Sequence, residues 1–214
     1  MDEDIAIINS KTRNEKIKDF FIKNRKKILA GFSIIILLIF SYFIFQEINK
    51  KKIINISNEY NNAVINFTSG NKVSVENELV NIVNKKDETY SPLALYFLVD
   101  NNIIKENNKI NELFDILINE TSLEKEIKNL IIYKKALFNS EFESENNLIK
   151  ILNPIINSES IWKSHGLYLM AEYFYSKNEK QKSKEFFEQI AILKNANPKI
   201  KIEAQKKLNR DFSE

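Results

Sequence analysis

The chain has 214 residues, 43% hydrophobic and 29% charged, with no cysteine, one histidine and a formal net charge of +3. Three glycines and three prolines are too few for the hairpin turns of an all-β sandwich or barrel of this length, and with the helical spacing of apolar residues the class expected is all-α. The widely separated Gly31, Gly70 and Gly166 form no phosphate-binding loop, and the residue counts exclude disulfides, Cys-ligated zinc, iron–sulfur clusters and thiol catalysis.

His165 has no second imidazole to share a zinc ion with, and Glu172 lies two helical turns away from it, too far for a catalytic dyad. No catalytic residue, cofactor or metal site is predicted, and the chain is expected not to be an enzyme. Lysine outnumbers arginine 29 to 3, a skew that AT-rich codons impose. Individual Lys, Asn and Ile residues therefore carry less functional information than the rarer residue types.

Residues 1–27 form a basic tail, in which Ile17, Phe20 and Phe21 give a short apolar face. Residues 28–45, ILAGFSIIILLIFSYFIF, are 18 residues without a charge. At ~1.5 Å per residue they reach ~27 Å, close to the hydrocarbon thickness of a bilayer. A transmembrane helix is predicted here, because the segment is apolar on every side whereas a soluble helix keeps a polar stripe. Tyr42, Phe43 and Phe45 sit where aromatic rings favour the lipid–water interface. A cleaved signal peptide is the rival reading, but the leading tail is long, the apolar run exceeds the usual ~7–15 residues, and no small-x-small cleavage site follows.

Seven basic residues flank the span within about 15 positions on its N-terminal side, against Lys50, Lys51 and Lys52 on the other. The expected orientation puts the N-terminus in the cytoplasm and the C-terminal domain in the periplasm of a bacterial inner membrane. Residues 1–45 hold eight basic and five acidic side chains, which leaves 24 of each sign for 46–214. A domain of zero net charge lacks the electrostatic footprint of nucleic-acid binding, so no nucleic acid is expected as a partner.

A polar linker is predicted at 46–56, followed by a helical domain at 57–214. Apolar residues recur there at helical spacing in pairs of segments: 57–69 with 72–84, 91–104 with 108–119, 123–139 with 145–157, and 161–176 with 180–193. A last helix is predicted at about 198–210. Ser91-Pro92 and Asn197-Pro198 read as caps before first-turn prolines, Thr121 and Glu124 have capping-box spacing, and Ser69-Gly70-Asn71 and Asn101-Asn102 read as breaks. Pro154 should kink or end the second helix of the third pair. Successive pairs at a period of 34–40 residues suggest a solenoid in which each pair buries its face on the next.

The fourth pair, HGLYLMAEYFYSKNEKQKSKEFFEQIAILKNANP, resembles a tetratricopeptide repeat (TPR). Ala171 falls at the small position of the first helix, Asn178 at the turn glycine and Ser183 at the small position of the second helix. The fold this implies is a TPR-like right-handed superhelix of antiparallel helix pairs. Groove-facing positions would then be His165, Tyr168, Glu172 and Tyr175, with Tyr133 of the third pair aligned to Tyr168. Tyrosines on one rigid face suit peptide contact, since each ring buries a large area and its hydroxyl can hydrogen-bond. The same rings could instead pack on a neighbouring helix.

Three segments in order, IKDFFIKNRKKILAGFSIIILLIF, YSPLALYFLVD and LMAEYFYSKNEKQKSKEFFEQI, give a layout that resembles the YfgM-like family of bacterial inner-membrane proteins. That resemblance implies an ancillary subunit of the SecYEG translocon that connects it with periplasmic chaperones or nascent secreted chains, and no enzymatic activity. An envelope-assembly or cell-division adaptor built on the same repeats is the alternative, with an anchored hydrolase as the rival class.

Overall fold

The computed structural model describes residues 2–70 and 72–212, with side chains described at 13, 15–70 and 74–212. Asn71 of the predicted break and the side chains of residues 1–12 of the tail lie outside the described residues. The described residues form nine helices and no strand: α1 (Asp2–Thr68), α2 (Lys72–Asn84), α3 (Tyr90–Asp100), α4 (Asn107–Glu120), α5 (Lys125–Asn139), α6 (Glu145–Ile156), α7 (Lys163–Ser176), α8 (Lys180–Ile192) and α9 (Pro198–Asp211). The chain divides into two compact units, residues 1–55 and residues 56–214.

The first unit is a single stretch of helix. Residues 46–56, expected as a linker, are helical, because QEINKKKIINI contains no glycine or proline to stop the turn that precedes it. Among the described residues one helix is long and apolar enough to cross a membrane, and its most apolar window is not buried by protein at all. Inside the apolar stretch 28–45, the Ser33 hydroxyl donates to the Leu29 carbonyl at 3.0 Å. A hydroxyl satisfied by its own helix leaves no polar group unpaired in an apolar surround.

The second unit buries its apolar residues in three successive clusters. The first joins the α1 residues from Ile56 onward to α2, α3, α4 and Ile131 of α5; the second joins α5, α6 and α7; the third joins α7, α8 and α9. From α2 to α9 each helix packs on its successor, with further contact between α2 and α4, α5 and α7, and α7 and α9. The most extensive of these packings is α7 against α8. Ala171 and Ser183 are both fully buried there, and the Ser183 hydroxyl donates to the Ala171 carbonyl at 2.8 Å. Small side chains let the two axes approach, and the hydrogen bond removes the cost of burying the hydroxyl.

Pairing in the N-terminal half differs from expectation, since α3 packs more extensively on α2 than on α4. Ser91 is one link between α2 and α3. Its hydroxyl donates to the Ile82 carbonyl at 2.7 Å and accepts from the Asp87 amide at 2.8 Å, which fastens the start of α3 to the end of α2. Ser91 is therefore not a helix cap. The Asp87 carboxylate caps α3, accepting from the amides of Thr89 and Tyr90 at 3.0 and 2.8 Å.

The predicted capping box at Thr121 and Glu124 does not form. The Thr121 hydroxyl donates back to the Ile116 carbonyl at 3.2 Å and closes the end of α4. Asn197 does cap α9, accepting from the amides of Lys199 and Ile200, with Pro198 behind it. Pro154 lies inside α6, which stops soon after it at Ile156. Asn102 and Asn178 adopt left-handed backbone with φ of 48° and 61°, and each ends its helix. The paired bonds Asn178 N–H to Tyr175 O and Glu179 N–H to Phe174 O close α7 at that point.

Gly166 is required by close approach, since a Cβ there would lie 3.2 Å from Ile156 Cγ2 and 3.4 Å from Leu152 Cδ2. It lets α7 sit tightly against α6.

Candidate functional site

The five candidate residues fall into two clusters along α5 and α7. In the first, the Tyr133 ring stacks on Trp162 with centroids 5.9 Å apart and an interplanar angle of 20°. His165 meets the edge of Tyr133 at 5.7 Å and leans over Trp162 at 4.9 Å. All three rings are half-buried. Burial pulls the His165 pKa below the ordinary histidine value, with the Ile161 carbonyl opposing it in part. Burial likewise raises the Tyr133 hydroxyl. A ring cluster of this kind ties α5 to α7 through stacking and edge contact.

A polar network lies beside it. The Glu126 carboxylate of α5 accepts from the Ser160 hydroxyl at 2.7 Å and from the Ile161 amide at 3.3 Å, and the Asn129 amide donates to Ser160 Oγ at 3.0 Å. This places a carboxylate at the approach to α7, where it satisfies backbone and hydroxyl donors that α7 cannot satisfy itself.

The second cluster holds Tyr168, Glu172 and Tyr175, whose contacts run to α8 and to α9 with its flanking residue Phe212. Tyr168 meets Phe187 edge-on at 5.5 Å. The Glu172 carboxylate pairs with Lys207 at 2.8 Å. The same Lys207 ammonium lies 4.8 Å from the centre of the Tyr175 ring, which also meets Phe212 at 6.0 Å. Burial, reinforced by the Glu172 carboxylate, pushes the Tyr168 hydroxyl up to about 12. On this face α9 and Phe212 supply partners to Glu172 and Tyr175.

An opening that the sequence did not point to lies between α3 and α5, with α4 beneath it. It is a cavity of about 400 Å³ whose lining includes Tyr96, Asp100, Phe114, Lys134, Phe138 and Phe142. The Lys134 ammonium sits 4.4 Å from the centre of the Tyr96 ring. The Tyr96 hydroxyl is buried and makes no hydrogen bond among the described residues. Burial first, and the Asp100 carboxylate second, push its pKa up to about 12. A sequence signal for this cavity existed only in outline, as the aromatic YFLVD end of one helix and the LFNSEF end of another. Nothing local indicates that these two ends meet.

Among the described residues no three His, Cys, Asp or Glu side chains are grouped to hold a metal ion. No family model, curated protein or solved structure matches the chain.

Proposed function

We propose that the chain is a membrane-anchored, non-catalytic scaffold that binds other proteins through a TPR-like right-handed superhelix. In this reading the N-terminus is cytoplasmic, residues 28–45 span a bacterial inner membrane once, and the repeats lie in the periplasm. The protein then acts as an ancillary subunit that links the SecYEG translocon to periplasmic chaperones or to emerging secreted chains, as the YfgM-like resemblance implies.

The observation that carries the reading is a combination within one chain. A helix with an 18-residue charge-free stretch and no protein packed on its most apolar window accompanies helices stacked in chain order, each burying its face on the next. The first calls for lipid and the second is the packing logic of repeat proteins, which present extended surfaces to partners. Supporting the repeat reading in detail are Ala171 and Ser183 at the tight approach of α7 and α8, and the left-handed Asn178 between them. A tether also raises the effective concentration of the repeats at the membrane, so modest affinities suffice.

Two experiments test it. Single-thiol variants Ser10→Cys and Ser213→Cys, made in a chain without native cysteine, are treated in spheroplasts with a membrane-impermeant maleimide. Labelling at 213 alone is expected; labelling at 10 alone overturns the periplasmic placement. Copurification with the translocon is expected for the full chain and lost without residues 1–46, and its retention in the truncated chain would sink the tethered-subunit reading.

A further inference from the structure

The cavity between α3 and α5 is built like a receptor for one kind of chemistry. Its floor is aromatic, with Phe114 1% exposed, while Phe142 and Leu137 at its mouth are 45% and 47% exposed. Exposed apolar side chains at the mouth of an aromatic cavity leave area that an apolar anchor from outside would cover. Two carboxylates, Asp100 and Glu141, line the same opening, and neither has an ion-pair partner among the described residues. The one cation among the described lining residues, Lys134, lies over the Tyr96 ring. Among the described residues the lining thus has a net charge of −1 with neither acid in an ion pair, and the buried Tyr96 hydroxyl is a hydrogen-bonding group without a partner.

Size limits the occupant. A volume of about 400 Å³ holds one or two side chains and no folded element. Apolar floor and acidic rim together select an apolar residue adjacent to a basic one, because the long stem of lysine or arginine packs on rings while its head reaches a carboxylate. We propose that this cavity binds an apolar-and-basic segment of a partner polypeptide, with a leucine or phenylalanine among Phe114, Phe138 and Phe142 and a neighbouring lysine or arginine paired with Asp100 and Glu141. The proposal rests on the scaffold reading in one respect, that the chain binds polypeptides, and it adds the chemistry of the bound segment.

The test uses the full chain in nanodiscs of zwitterionic lipid, with empty discs as the blank, and fluorescence anisotropy of a labelled Ser-Leu-Phe-Lys-Arg-Ser peptide. Saturable binding above the blank is expected, weakened by added salt as for exposed charge pairs. Replacing Lys-Arg by Glu-Glu in the peptide, or Leu-Phe by Ser-Ser, should abolish it. In the protein, Asp100→Asn combined with Glu141→Gln should weaken binding about tenfold, a loss of ~1.4 kcal/mol, and Phe142→Ser should weaken it similarly. These three side chains are exposed, so circular dichroism should show the variants folded.

Equal binding of the Glu-Glu peptide, unchanged affinity in both variants, or no signal above empty discs each overturns the proposal. Failure here with translocon copurification intact removes this site alone. Peptide binding without copurification removes the translocon reading and leaves the site.

Discussion

Residues 28–45 and helix α7 are both rich in large apolar side chains, yet they end in opposite surroundings. Leu37 and Leu38 of the span are 65% exposed, whereas Met170 and Ala171 of α7 are fully buried and Phe174 is 1% exposed. The difference lies in what accompanies the apolar residues. Helix α7 carries Gly166 and Ala171 where α6 and α8 come close, and it keeps polar groups such as Glu172 for α9. The span has no such positions: a methyl group added at Gly31 would meet nothing within 4 Å, and no charge interrupts the apolar run. Apolarity alone therefore does not specify packing within the protein; small and polar residues at set positions do.

The contrast breaks most sharply at Phe174. Its ring stacks on Phe186 at 5.5 Å and lies beneath the Lys182 ammonium at 4.9 Å. Phe174→Ala should lose about 3–5 kcal/mol of unfolding free energy, as large-to-small changes in a packed core do. Urea unfolding followed by circular dichroism measures this, and a loss below about 1 kcal/mol would show that α7 does not hold the stack together.

A charge in the span comes next. Ile36→Lys should oppose insertion by about 2.5–3.5 kcal/mol and shift the chain toward the carbonate-extractable fraction, with its helical content unchanged. Full retention in the membrane pellet would argue against residues 28–45 as the span.

The two helical glycines sharpen the comparison. Gly166→Ala pushes a methyl group against Ile156 and Leu152 and should cost about 1–3 kcal/mol by overpacking, while Gly31→Ala should be neutral. Thermal unfolding of both variants beside the parent tests the pair, and equal shifts would contradict the close approach of α6 and α7.

The smallest effect is titration of His165. Burial favours its neutral form in the folded chain, so its contribution to stability is complete above its unfolded value of 6.5 and is lost as pH falls through the lower folded value. Trp162, the single tryptophan, lies 4.9 Å from the imidazole and reports the titration by fluorescence. A midpoint below 6.5 that disappears in His165→Gln is expected; a midpoint at or above the ordinary value would contradict the burial.

Helix boundaries were legible because their signals are local. Segments expected at 72–84, 145–157 and 180–193 correspond to α2, α6 and α8 nearly residue for residue, and Asn197-Pro198 acts as the cap its spacing suggests. Thr121 and Ser91 misled because a hydroxyl near a helix end can bond forward to its own first turn or back to a preceding carbonyl, and triplet spacing does not distinguish the two. The helical stretch 46–56 was missed because polarity was taken as a break, although no residue there breaks a helix. Of the candidate residues, Tyr133 and Tyr168 were legible as rings that either face a groove or pack on a neighbouring helix. Their partners, Trp162 for one and Phe187 for the other, were not.

What the sequence by itself determined is the all-helical class, the long apolar helix and the order of the helices, since periodicity, absence of charge and turn residues act within a few positions of one another. Only the tertiary structure decided that α3 leans on α2, that α9 covers the Tyr168, Glu172 and Tyr175 face, and that Tyr96 and Phe142 come to line one cavity. Those outcomes depend on which helices approach closely enough for a serine, a lysine or a ring to find its partner. Residues tens of positions apart carry no mark of that approach until the chain has packed.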